Sequence, residues 1–381
     1  MTDSPDQQPS SEGIELQDSD ELSAEELETL EEPDPEPPYV SYKGTDFDVE
    51  GLVRRLERGD IVIPTFGHDE QQPPIVTERF QRGFVWRRPQ MDRFIESLLL
   101  GYPIPGIFLV QQSDRRYLVL DGQQRLRTLA DFYSGIHDKK VFYLQSVAEK
   151  FVGLTYDSLP PEYKRTVDST FIQATIVETD GSIRSLDSVY QVFERLNSGG
   201  TQLTPHEIRV ALYAGPFIKL LDRLNADINW RNLYGRRSPR LRDQEVILRV
   251  IAFFVTPGTY KRPLKKFLND FVGAHRQLED LSPERIEGLF GRAVELINQE
   301  AGPQSLRRQS NQINTALTEA VLVGLMRRLD ADDNITPEAV QRGISSLHEN
   351  RRFDQAISRA TADEESVRTR LALANQVFAS M

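Results

Sequence analysis

The chain has 381 residues, 39% of them apolar, with 46 basic and 58 acidic residues and a formal charge of −12. The length allows two or three domains, and no stretch approaches the ~18 apolar residues of a membrane helix. The absence of cysteine excludes disulfides, thiolate zinc sites and cysteine nucleophiles together. The charge is uneven: fourteen acidic residues and no Lys or Arg fall within residues 1–40, leaving 46 basic and 44 acidic residues in the body. A nearly neutral body with local basic clusters is compatible with nucleotide or nucleic-acid binding. The N-terminus has neither the basic nor the apolar region of a secretion signal, so a cytoplasmic protein is expected.

Residues 1–40 are acidic and rich in Ser and Pro, which predicts a disordered tail. Leu22, Leu27 and Leu30 leave a brief helix on a partner as the alternative. Residues 46–58 read as a helix, with Leu52, Val53 and Leu56 on one face and Gly59 past its end. Ile61–Ile63 reads as a short strand stopped by Pro64. Pro89 to Leu100 is a helix with Met91, Phe94, Ile95, Leu98 and Leu99 at core spacing, and Gly101 stops it. Pro103-Ile104-Pro105 leads into a strand at Ile107–Val110. Ser113-Asp114 turns the chain into a second strand at Tyr117–Leu120, so Ile107–Leu120 is read as an antiparallel hairpin.

Asp121-Gly122 ends that strand. Leu126, Leu129, Ala130 and Tyr133 then fall at helical spacing, which puts Asp121, Gly122, Gln123, Gln124 and Arg125 at a strand-to-helix turn. Unpaired backbone N–H groups at a helix start favour anions. Gly122 permits close approach of a ligand, Arg125 can grip a phosphate at two points, and the glutamines supply neutral donors and acceptors. The plain alternative is that these polar residues only cap the helix.

Phe171–Val177 reads as a strand, and Ser185 as the cap of a helix carrying Val189, Val192, Phe193 and Leu196, broken at Ser198-Gly199-Gly200. In the following stretch Thr204 is an N-cap, Pro205 the first helical residue and Glu207 the partner in a capping box, with Leu203 and Ile208 placed as a hydrophobic staple. That accounts for Glu207 without catalysis. Helical periodicity continues near 216–225, 242–255, 261–275, 283–299, 311–329, 336–348 and 363–379, with no repeat period.

Four motifs carry a resemblance. Asp121-Gly122-Gln123-Gln124-Arg125 resembles the DGQQR signature of the GmrSD-type N-terminal domain family. Gln81-Arg82-Gly83-Phe84-Val85-Trp86 resembles its QR-x-x-V-W motif, and Ser97 to Pro105 its S-I-L-x-G-x-P-I-P segment. Phe193-Glu194-Arg195-Leu196-Asn197, with Gly200 and Leu203-Thr204, resembles its F-x-R-x-N-x-x-G-x-x-L-T motif. The insertion from Gly67 to Thr77 departs from the family pattern, in which the QR motif follows an IP segment almost directly. The resemblance implies a ParB/sulfiredoxin-like motif domain with a small mixed sheet over residues 45–200; the helical periodicity beyond it predicts an α-helical domain over 201–381, so the chain is expected to be α+β. The resemblance also implies binding and hydrolysis of a nucleoside triphosphate in a restriction or anti-phage system, acting with or regulating a nuclease.

A triphosphate pocket needs cations, backbone donors and usually a magnesium ion held by oxygen ligands. The resemblance brings together Arg82, Arg125 and Arg195. Asp121 either holds the metal or orients Arg125. Gln81, Gln123 or Gln124 would position a water, so that Asp121, Gln124 and Arg125 form the expected catalytic set. Gly122 contributes backbone to the nucleotide, and Asn197 is either a C-cap or a ligand contact. Trp86 reads as core. There is no Walker A pattern. Some family members carry a C-terminal HNH-type nuclease, but no histidine–asparagine–histidine core follows residue 280 here. Arg236, Arg237 and Arg240, in the densest basic run, are candidates for DNA phosphates, with a solvated face as the alternative. A non-enzymatic ParB-like regulatory module that binds nucleotide or DNA stands as the second functional reading, and the missing cysteine disfavours sulfiredoxin-like redox chemistry.

Overall fold

Three apolar runs of the first half, each too short to be a stable helix, pair into the centre of a mixed sheet. In the computed structural model the described residues are 22–33, 40–64, 86–112, 114–196, 203–308 and 312–381. The strands are Ser41–Asp48 (β1), Ile61–Val62 (β2), Ile107–Gln111 (β3), Tyr117–Asp121 (β4), Ile136–His137 (β5), Lys140–Val141 (β6) and Phe171–Glu178 (β7). The first helices are Ala24–Glu31 (α1), Val49–Glu57 (α2), Arg88–Leu99 (α3), Gln123–Ser134 (α4), Pro161–Asp168 (α5), Ile183–Leu196 (α6), Pro205–Leu212 (α7) and Pro216–Asn225 (α8). The later ones are Ile228–Tyr234 (α9), Arg242–Val255 (α10), Leu264–His275 (α11), Pro283–Leu296 (α12), Thr315–Ala331 (α13), Pro337–Glu349 (α14), Arg351–Ala356 (α15) and Glu364–Ala379 (α16).

The chain divides into two units. One holds residues 21–218 and 263–279; the described residues of the other fall within 219–262 and 280–381. This differs from a boundary at residue 200, because α7 and α11 fold with the sheet.

In the sheet-bearing unit the strand order is β1-β7-β3-β4-β2. β3 and β4 are antiparallel, as the hairpin reading expects, while β3 runs parallel to β7 and β2 parallel to β4. The α+β class with a small mixed sheet is therefore observed. α2, α3, α4 and α5 pack on one another and share a core with the sheet that includes Leu52, Met91, Ile95, Leu98, Leu129 and Phe132. Two expectations change at the start. The predicted helix over 46–58 begins only at Val49, with Asp48 as N-cap accepting from Gly51 N at 2.7 Å. Residues 41–48 instead form β1, an exposed edge strand that lacks the alternation a half-buried strand would show. The predicted disorder over residues 1–40 is amended at α1, where Ser23 and Glu26 close a reciprocal capping box and Glu26 is buried. Residues 1–21 and 34–39 lie outside the described residues, as does the 67–77 insertion. α6 starts at Ile183, with Ser182 rather than Ser185 accepting the capping bond, from Ser185 N at 3.2 Å.

A buried carboxylate fixes the loop beyond the sheet. Asp92 on α3 is wholly buried. It accepts from Arg88 Nε at 3.0 Å, Gln145 N at 3.1 Å and Ser146 N at 2.9 Å. The Arg88 guanidinium also lies 3.6 Å from the Phe142 ring centroid.

In the helical unit α13 is the central helix, apolar nearly all round and packed by α10, α12 and α16. A Cβ on Gly324 would lie 2.9 Å from Phe378 Cδ2 and 3.0 Å from the Ala374 carbonyl carbon, so this glycine sets the α13–α16 approach. Asp222 accepts from Gln244 Nε2 at 2.7 Å. Burial, reinforced by the Asp243 carboxylate against the lowering effect of Gln244, pushes Asp222 up to about 7.

Two outcomes follow. Asp92→Ala strands two backbone donors and Arg88, so urea unfolding is expected to show a loss of about 3–5 kcal/mol. For Asp222 the folded pKa lies above its ordinary 3.8, so the folded state holds the extra proton between about pH 4 and 7. The stability contributed by the neutral carboxyl is full below that window and is lost as pH rises through about 7. Asp222→Asn is expected to flatten this decline, gaining on the native protein between pH 4 and pH 8 in parallel urea titrations.

Candidate functional site

The DGQQR residues stand where the sequence places them. β4 ends in Asp121, α4 starts at Gln123, and Gly122 turns the backbone at φ 94°. A register shift in β3–β4, between Phe108 and Leu109, lies beside Asp121 and re-aims it relative to the regular ladder. Gly122 is required twice over. Its φ is in the left-handed region, and a Cβ there would lie 2.5 Å from Ile107 Cγ2. The turn is thus pressed directly onto the buried start of β3.

α4 carries no side-chain cap. Its first intrahelical bond runs from Leu126 N to Gly122 O at 3.0 Å, so the N–H groups of Gln123, Gln124 and Arg125 precede the helical ladder. Arg125 Nη2 donates to Asp121 Oδ2 at 2.9 Å, with the arginine side chain 14% exposed and the aspartate 51%. The pair holds the guanidinium at the turn and leaves the carboxylate open to solvent on one side.

Gln124 Oε1 accepts from Trp86 N at 3.2 Å. Trp86, the last residue of the QR-x-x-V-W motif, is part-buried against the core and meets Phe94 edge-on at 5.6 Å. The core reading of Trp86 is therefore observed, and two motifs are joined by a hydrogen bond that spacing alone did not reveal. It also gives Gln124 a structural task. The far end of α4 is anchored by Asp168, which accepts from Tyr133 at 2.6 Å and Tyr156 at 2.9 Å. The two rings stack at 3.9 Å, and burial, then the bonds to Asp168, push both phenols up.

The other predicted residues divide. Arg195 lies exposed on the last turn of α6, and α6 packs beside β4. Gln81, Arg82 and Asn197 lie outside the described residues. The capping box after them is present: Thr204 Oγ1 accepts from Glu207 N at 3.1 Å, and Glu207 Oε2 from Thr204 N at 2.6 Å, with both residues buried. Arg236 and Arg237 are exposed, but Arg240 is 2% exposed and is corrected from a DNA-phosphate candidate to a buried residue. Its place just before the buried start of α10 gave it to the interior. Among the described residues no cluster of three or more His, Cys, Asp or Glu is arranged to hold a metal.

Sequence reasoning missed the burial and the partners of Lys265 and Asn269. Both are 1% exposed and reach residues of α6: Lys265 Nζ donates to Glu194 Oε2 at 3.0 Å, and Asn269 Nδ2 to Asp187 Oδ1 at 3.3 Å. Their signal was present, since they interrupt the buried stripe Leu264, Leu268, Phe271, Val272 at i, i+4 spacing.

Residues 63–214 match the family described as GmrSD restriction endonuclease, N-terminal domain. All four motifs lie inside that segment, so the resemblance read from them is borne out. No curated protein matches the chain. Gly122→Ala is expected to lower the unfolding free energy by about 2–5 kcal/mol, from left-handed backbone strain plus overlap with Ile107, read by urea denaturation.

Proposed function

We propose, from the membership of residues 63–214 in the GmrSD N-terminal domain family, that this chain binds and hydrolyses a nucleoside triphosphate at the Asp121–Arg125 turn. The observation that carries the reading is the start of α4: an uncapped helix N-terminus with Arg125 held beside it by Asp121. The first amides of α4 would receive phosphate oxygens. Arg125 and Arg195 would neutralise charge developing on the terminal phosphate, joined by Arg82 from the QR motif. Because Gln124 is bonded to the Trp86 backbone, Gln123 is the better residue to orient the attacking water, with Gln81 as the other candidate.

Asp121 fits one carboxylate ligand of a magnesium ion. Its side chain is half exposed, and magnesium is commonly held by one or two carboxylates together with substrate phosphates and waters. Bound there, the ion would supply electrostatic stabilisation of the phosphates. The ParB/sulfiredoxin-like relationship belongs to the same reading; the small mixed sheet with the motif at a strand-to-helix turn supports it. A cytoplasmic setting in restriction or anti-phage defence, in which the chain acts with or regulates a nuclease carried by another protein, belongs to the same reading. No described helix is long and apolar enough to cross a membrane. Arg236 and Arg237 are the exposed residues of the basic run left for a DNA backbone.

Phosphate release from each of the four common triphosphates, with and without magnesium and DNA, tests this. Arg125→Ala is expected to keep its circular dichroism and to weaken binding or turnover by about 2–4 kcal/mol. Arg125→Lys should not fully rescue, because an ammonium lacks the planar two-point contact. Variants that bind and hydrolyse like the native protein would place the pocket elsewhere. Binding without phosphate release would favour the regulatory module.

A further inference from the structure

α6 carries a polar stripe on a buried face. Asp187, Gln191 and Glu194 recur at i, i+4 and i+7, one side of the helix, and all three are sheltered from solvent. Opposite them α11 presents Lys265 and Asn269, themselves at i, i+4. Lys265 Nζ meets Glu194 at 3.0 and 3.2 Å, Asn269 Nδ2 meets Asp187 at 3.3 Å, and Lys266 Nζ lies 3.9 Å from Asp187 Oδ2. Gln191 Nε2 bonds back to Asp187 at 3.4 Å. The same Asn269 accepts from Arg209 Nε on α7 at 2.9 Å. α11 thus binds α6 and α7 through polar side chains, although it lies some fifty residues beyond the end of the family-matched segment.

An apolar interface tolerates small rotations of a helix, because one methyl group can replace another. A buried charge pair resists it, since turning α6 about its axis would pull Glu194 away from Lys265 in a water-poor setting. The pair therefore fixes the rotational setting of α6. Arg195 is the next residue, about 100° round the helix, and it emerges exposed on the last turn. We propose that Lys265 is a positioning residue: through Glu194 it sets the direction in which Arg195 is presented to the bound triphosphate, and the working motif unit includes α11. This rests on the reading that Arg195 contacts the nucleotide.

The test uses the full chain and measures affinity by titration calorimetry. The probe is whichever of ATP, GTP, CTP or UTP, with magnesium, the native protein binds best. Lys265→Met takes a buried cation away from Glu194, so it is combined with Glu194→Leu, and both charges are replaced by apolar groups of similar size. Lys265→Arg keeps the charge. The double variant is expected to retain its circular dichroism and to bind about tenfold more weakly. Lys265→Arg should stay within about threefold of native. In an Arg195→Ala background the double change should alter affinity less than twofold, because the group it positions is gone. Weakening of equal size in both backgrounds, or no weakening in the native background, would make the pair a packing contact only and overturn the proposal. If Arg195→Ala alone binds like the native protein, the placement of Arg195 at the nucleotide fails, and this inference fails with it. A weakened Arg195→Ala beside an unaffected double variant would overturn the inference alone.

Discussion

The contact of Gly122 with Ile107 is the constraint on which the motif unit depends. A backbone turn that approaches a buried strand without a Cβ can be short, and a short turn leaves the first amides of α4 at the end of β4. A bulkier residue would have to push the turn away from Ile107 on β3. The fold at this point and the candidate chemistry therefore share one cause. The residue that permits packing also creates a stretch of backbone donors beside a positive side chain.

Around that turn the unit is held by buried polar groups used as fixed points. Asp92 ties α3 to the loop at Gln145 and Ser146. Asp168, the last residue of α5, holds Tyr133 of α4 and Tyr156 of the preceding loop. Thr204 and Glu207 close the start of α7. Each group would be costly to leave unpaired, so each admits one arrangement. Apolar packing drives these helices onto the sheet; the polar groups select register and rotation among the packings that remain. Gln124 belongs to this class. Its bond to Trp86 N joins two motifs lying 38 residues apart, which is why a residue that resembles a catalytic group in sequence reads as a brace in the fold.

The candidate site consequently combines rigid and exposed parts. Arg125 is mostly sheltered while its partner Asp121 is half open, a disposition suited to a cation that must keep its direction and a carboxylate that must reach solvent or a metal. Arg195 lies exposed on α6, which packs beside β4 and is bonded to α11. A domain defined by motif spacing alone would stop near residue 200 and would omit α11, whose Lys265 and Asn269 bond to the helix that carries the last motif.

Much was legible without coordinates. The apolar periodicities placed α3, the β3–β4 hairpin and the strand-to-helix turn, because each is a local pattern enforced by burial of one face. The capping box at Thr204 and Glu207 was legible for the same reason, since both partners lie within one turn. The edge strand β1 was not, because both its faces are largely exposed and it is held by ladder bonds to β7, whose residues lie far along the chain, from Asp48 opposite Phe171 to Ser41 opposite Glu178. Nor was the burial of Arg240, or the pairing of Glu194 with Lys265 across 71 residues. Local pattern by itself determined which segments form elements and where the motif turn lies. Which polar side chains meet, which arginines stay at the surface and which distant helix completes the unit were decided only by tertiary packing, because hydrogen bonds and ion pairs are chosen among groups that the chain brings together from far apart.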